Sequence, residues 1–175
     1  MENTSTPVST TSFGLRYGLL TGIVSVIYSF ILLAANMEQN TALSLLSLVI
    51  LVGGIFLAHK KYKENNSGFM SYGQGLGIGT LVSLISGLLG GIFRYVYMEF
   101  IDPSAAQRTI EQTRAKMEEA GNMSDAQIDQ AIQMSQRFAS GPLGIAVAII
   151  GSAFIGFLIT LIIAAITKHN RPEFE

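Results

Sequence analysis

Four apolar runs, at residues 17–35, 42–58, 73–93 and 142–167, contain no Asp, Glu, Lys or Arg. A helix needs roughly 20 apolar residues to cross the hydrocarbon core of a bilayer. Within that core every backbone polar group must be satisfied by the segment itself. The runs therefore predict an all-α, polytopic membrane protein with four transmembrane helices. Charged residues are 13% of the chain, against roughly 25% in a soluble domain, and they crowd into the connections.

The remaining composition excludes several functions. The net charge is −1, so no basic surface argues for nucleic acid. The absence of Cys excludes disulfides, thiol catalysis and Cys-based metal sites. Residues 1–12 form a polar tail, and only Arg16 precedes the first run as a basic residue. That is a poor basic region for a signal peptide, and Ala34 and Ala35 are a poor cleavage site beside Leu33 and Asn36. The reading is an uncleaved first helix.

The expected organisation is a tail (1–12), three spans within 13–100, an extracytoplasmic helical hairpin (101–140), a fourth span (141–167) and a tail (168–175). Lys60, Lys61 and Lys63 crowd one short loop, Lys168 and Arg171 the C-terminal tail, and Arg16 flanks the first span. The long connection carries four basic against seven acidic residues, a net of −3. The basic bias puts the Lys60 side and both termini in the cytoplasm. Tyr17, Tyr62 and Tyr72 would mark the inner interface, and Tyr95, Tyr97 and Phe100 the outer one. Arg16 and Arg94 would snorkel to water from opposite faces.

Small residues recur at helical spacing in the spans. Gly14, Gly18 and Gly22 form one stripe, Gly79, Ser83, Gly87 and Gly91 a second, and Gly144, Ala148, Ser152 and Gly156, continued by Thr160, a third. Such stripes let helix backbones approach closely in lipid. Packing within one four-helix bundle accounts for them, and three stripes also leave room for a homo-oligomer or a membrane-protein partner.

The long connection reads as two amphipathic helices. Asp102 and Pro103 suit a helix start, with Ile110 and Met117 on an apolar stripe. Gly121 and Asn122 supply a stop. Ser124 and Gln127 form a capping box ahead of Ile128, Ile132 and Phe138 on one face. Ile110, Met117, Ile128, Ile132 and Phe138 are thus candidates for partner binding, with packing on each other or on the membrane surface as the alternative.

No constellation for chemistry stands out. The spans hold no ionisable residue away from their ends, where a membrane enzyme or coupled transporter would carry one. His59 and His169 lie at expected cytoplasmic span ends beside Lys residues, without the acids or histidines of a metal site. Gln74 and Asn36 suit helix ends. The glycine-rich segment 71–79 lacks the spacing and the Lys of a nucleotide loop. It could form a carbonyl-lined filter only by oligomerisation, with an unwound or kinked helix start.

The chain resembles a set of bacterial membrane proteins, domain-of-unknown-function family 4199. The likeness rests on Phe69, Tyr72, Gly73 and Gln74 leading into a glycine-rich span, on Phe100-Ile101-Asp102-Pro103 after an aromatic span end, on residues 123–131 in the acidic hairpin, and on a Pro-led last span with a Lys-containing tail. The resemblance implies an integral inner-membrane protein of four helices and supplies no reaction, cofactor or site residue. The expectation is a non-enzymatic scaffold, accessory or regulatory subunit without cofactor or metal. The alternative is a small oligomeric channel or transporter.

Overall fold

The computed structural model describes residues 8–139 and 141–171. Residues 1–7 and 172–175 of the expected tails, and residue 140 of the expected hairpin, lie outside them. Within the described residues the chain forms α1 (Thr10–Ala34), α2 (Thr41–Asn65), α3 (Tyr72–Val96), α4 (Ser104–Ala120), α5 (Asp125–Ala139) and α6 (Gly141–Thr167). A π-helical turn, Tyr97–Ile101, prolongs α3. α1, α2, α3 with its π turn, and α6 are each long and apolar enough to cross a membrane. Their outward faces need hydrocarbon: Val49 is 60% exposed, Ile150 69% and Ile166 76%, far more contiguous apolar surface than water tolerates.

The helix ends follow local chemistry. Ser9 caps α1 by accepting from Ser12 N–H. Asn36 adopts the left-handed conformation after α1, with φ 54°, and Met37 N–H closes the end on Leu32 C=O at 2.8 Å. Asn40 Oδ1 accepts from the N–H groups of Ala42 and Leu43 at the start of α2. Ser71 and Gln74 make a reciprocal capping box for α3. That box starts a regular helix through Gly73, Gly75, Gly77 and Gly79, so the unwound or kinked start allowed by the sequence is not formed. The carbonyls in this stretch belong to a helix and line no filter.

α3 is the central element. It packs on α6 along one side and on α1 along another. Each four-residue step along α3 meets a four-residue step back along α6. Gly79 lies against Thr160, Ser83 against Gly156, Gly87 against Ser152, and Gly91 against Ala148. The same register continues to Gly75 against Ala164, and to a short antiparallel bridge between Met70 and His169. On the other side, Gly14, Gly18 and Gly22 of α1 receive Leu81, Ile85 and Leu89 of α3. The stripes thus face other helices of the same chain. Gly144 departs from the pattern: it stands against the backbone of Ala139 at the end of α5.

Hydroxyl groups inside these contacts hydrogen-bond backbone carbonyls. Ser83 Oγ donates to Gly79 C=O (3.0 Å) and Thr160 Oγ1 to Gly156 C=O (2.6 Å). Ser86 Oγ crosses to Gly18 C=O at 3.2 Å, and Ser152 Oγ to Ser83 C=O at 3.3 Å. No hydroxyl among these is left unsatisfied at the seam, which keeps the close approach compatible with an apolar surround.

α2 outruns its apolar run. It continues through the basic residues to Asn65 and makes the (i, i+3) pair of Lys61 with Glu64. His59 is wholly enclosed rather than placed at a watery boundary. Its Nε2 is 2.8 Å from Gly75 C=O and its Nδ1 2.9 Å from Thr167 Oγ1, so it ties α2, α3 and α6 together. Since a carbonyl only accepts, Nε2 carries a proton. Lys63 Nζ donates to Thr167 C=O at 3.0 Å. Around them Ile55, Ala58, Tyr62, Met70, Ile78, Val82 and Ile163 form the main apolar core. Val8, from the expected polar tail, packs on this core beside Phe13.

The close seams predict sharply position-dependent effects. A side chain added at Gly87 runs into Ser152, whereas one at Gly151 meets nothing within 4 Å. Gly87→Ile should destabilise the purified protein by about 1–3 kcal/mol or more, as overpacking does, and Gly151→Ile should be close to neutral. Thermal aggregation in mild detergent, read by size-exclusion chromatography after heating, checks the contrast.

Candidate functional site

The spans pack closely together toward the Lys60 end, where a cavity of about 340 Å³ lies outside the helix contacts beside Phe69, Gln74 and His169, and they part at the Arg94 end. Ile55 of α2 reaches Gly79 beside Thr160, and His59 closes the next turn. Toward the other end a cavity of about 380 Å³ opens, lined by Ser29 of α1, Ser44 and Ser47 of α2, Gly90 and Arg94 of α3, and Ser152 of α6. Glu38, from the α1–α2 connection, joins its lining. A second cavity of about 380 Å³ lies where α3, α5 and α6 meet, with Arg94, Glu99, Ser135 and Phe138 in its wall. A third, about 140 Å³, lies between α4, α5 and the end of α3, and Arg94 lines it too.

Arg94 therefore stands at the junction of three cavities. Its guanidinium forms no ion pair or hydrogen bond among the described residues. Glu38 is the carboxylate that acts on it electrostatically, but Glu38 Oε1 is already held by Thr109 Oγ1 at 3.0 Å. Glu38 Oε2, Arg108 Nε and Gln112 Oε1 are enclosed without a protein partner. Enclosed polar atoms are normally satisfied, so this end is the polar, incompletely paired part of the molecule.

Several contacts fix α4 and α5 above this region. Asp102 accepts from Ser104 Oγ at 2.6 Å and from Arg108. Pro103 precedes the first turn of α4 rather than occupying it. Lys116 Nζ donates to Gln39 C=O, and Arg114 of α4 pairs with Asp129 of α5. Gly121, with φ 65°, makes the turn between them. Ser124 and Gln127 cap α5 reciprocally. The π turn ends α3 beside a small cluster of Leu33, Tyr97 and Ala105, with Phe30 edge-on to both Tyr97 and Phe93.

The residues expected to bind a partner turn mostly inward. Ile128 is 1% exposed and Ile132 7%. Ile110, Met117 and Ile132 line the small cavity, with Ile110 and Met117 half-buried, and Phe138, in the wall of the second cavity, is 49% exposed. Periodicity identified the apolar stripes correctly as faces, but it cannot say what covers a face. The sequence alone marks Arg94 only as a snorkelling residue and gives Glu38 no role. Their signal was an isolated Arg at a span end opposite an acid in a short loop. Among the described residues no group of three or more His, Cys, Asp or Glu could hold a metal ion.

These features define an all-helical, multi-pass membrane protein whose spans part at a polar end around Arg94. The family model described as "Protein of unknown function (DUF4199)" matches residues 16–169, and the chain belongs to that family. No curated protein and no solved structure matches it.

The Asp102 carboxyl is held down to about 2, from an ordinary 3.8, by the Arg108 and Ser104 hydrogen bonds. A depressed carboxylate stabilises the fold fully above its ordinary value and loses that contribution as the pH falls. The start of α4 should therefore stay anchored at pH 4 and loosen between pH 3.8 and about 2. Amide hydrogen exchange of residues 102–108 across that range checks this, and Asp102→Asn should remove the pH dependence.

Proposed function

We propose that the chain is a non-enzymatic accessory or regulatory subunit of the bacterial inner membrane. Both termini lie in the cytoplasm, and α4 and α5 form a helical hairpin outside the bilayer that recognises a partner. The observation that carries this reading is the anchoring of α4 and α5. They are tied to the bundle through Asp102 and Arg108, Thr109 and Glu38, and Lys116 and Gln39, while Met123, Met134 and Phe138 remain 40–52% exposed. A rigidly held surface with exposed Met and Phe is suited to recognition. The basic residues at the Lys60 end support the orientation.

A second reading, a small channel or transporter, draws on the serine-lined cavity beside Arg94. Within one chain that cavity stops at the contact of Ile55, Gly79 and Thr160, so transport needs either a second state or several copies.

The lack of Cys makes the test clean. Single substitutions Gln130→Cys and Asn65→Cys place a thiol on exposed residues of α5 and the Lys60 end. An impermeant maleimide should label the first in spheroplasts and the second only after lysis; the reverse pattern rejects the orientation. A photo-crosslinking residue at Met134 should capture one protein in stoichiometric yield, and no adduct there rejects the hairpin as a docking element. Gly90→Leu adds a side chain where a Cβ has open space beside the serine-lined cavity. Flux in proteoliposomes that this substitution abolishes would favour transport instead.

A further inference from the structure

The cavity between the end of α3, the end of α5 and the start of α6 has an unusual pair of charges in its wall. Arg94 supplies a cation and Glu99 a carboxylate. Neither side chain forms an ion pair or a hydrogen bond among the described residues. Ser135 adds a hydroxyl, while Phe138, Ile145 and Val147 make the remainder of the wall apolar. The volume, about 380 Å³, falls in the range of small-molecule sites, roughly 300–1,000 Å³. Its position is set by the fold: α3 and α6 are both membrane-spanning by length and composition, so the wall contributed by Tyr95 and Val147 lies at the end of two spans, where lipid headgroups meet the protein.

We propose that this cavity holds the headgroup of an aminophospholipid, with its phosphate on Arg94 and its ammonium on Glu99. Guanidinium matches a phosphate with two parallel hydrogen bonds. The carboxylate then selects among lipids. A purely anionic headgroup would satisfy Arg94 but face Glu99 as a like charge. A choline headgroup carries a cation with no N–H to donate. An ethanolamine headgroup carries both the phosphate and an ammonium donor. Glu38, in the wall of the neighbouring cavity, also acts on Arg94 electrostatically and so weakens its pull on an anion alone. The acyl chains would lie in the bilayer along the exposed apolar face of α6, at Ile150 and Phe154. The site does not depend on whether α4 and α5 also bind a protein.

The test uses the full chain, delipidated in detergent and offered equal amounts of dioleoyl phosphatidylethanolamine, phosphatidylcholine and phosphatidylglycerol. Native mass spectrometry reads the lipid retained. Phosphatidylethanolamine should be retained over the other two by roughly tenfold, the ratio that one charge-assisted hydrogen bond supplies. Glu99→Gln should bring it down to the level of phosphatidylcholine, Arg94→Gln should lose all three, and Arg94→Lys should keep partial retention. Equal retention of the ethanolamine and choline lipids by the wild type, or a preference for phosphatidylglycerol, overturns the proposal. So does an unchanged preference in Glu99→Gln, which decides the matter even if Arg94→Gln fails to fold, because Glu99 is an exposed residue outside the packed seams. Displacement of the lipid by millimolar soluble phosphoethanolamine would assign the cavity to a free zwitterion and overturn the lipid assignment.

Discussion

The close approach of α3 and α6 is the contact on which the other features depend. In lipid the surrounding tails are as apolar as the side chains, so burying apolar area gains little. Association rests on van der Waals contact and hydrogen bonds between backbones brought near each other. Gly79, Ser83, Gly87 and Gly91 give α3 a flat face, and Thr160, Gly156, Ser152 and Ala148 give α6 its counterpart. Because the hydroxyls on this seam hydrogen-bond carbonyls of α3 and α6, the two faces meet without enclosing an unpaired polar group.

α3 and α6 are in contact along their length, whereas α2 packs against both over only part of its own. It meets them at the Lys60 end, where Ile55, His59 and Tyr62 fill the space, and stands away at the other end. The serine-lined cavity is the consequence. The same geometry leaves Arg94 without a carboxylate in contact, because Glu38 is held by Thr109 of α4. A charged group at the end of a span is costly unless water, lipid or another ion answers it. The polar character of the Arg94 end therefore follows from how the helices diverge as much as from which residues are there.

α4 and α5 illustrate the same coupling. Each has too thin an apolar face to stand alone: Ile110 and Met117 on one, Ile128 and Ile132 on the other. They are stable here because the π turn brings Ala105 against Leu33 and Tyr97, and because the ion pair of Arg114 with Asp129 joins the two helices. The stripe faces the end of α3, and Met123, Met134 and Phe138 stay exposed.

By itself the sequence determined the four long apolar helices, their approximate limits, the two amphipathic helices between the third and fourth, the stop at Gly121 and the capping box of Ser124 and Gln127. These follow from interactions within a few residues: uncharged length, 3.6-residue periodicity, and Ser, Asn, Gln and Gly at helix ends. It also marked the small-residue faces. Only the tertiary structure decided which face meets which, that His59 is enclosed rather than wetted, that Gly144 serves the junction of α5 and α6, and that Arg94 borders three cavities. Those outcomes depend on residues such as 59, 75 and 167, or 38, 94 and 109, that are far apart in the chain. Periodicity reports that a face is apolar or small, but the angle at which two helices cross decides what covers it.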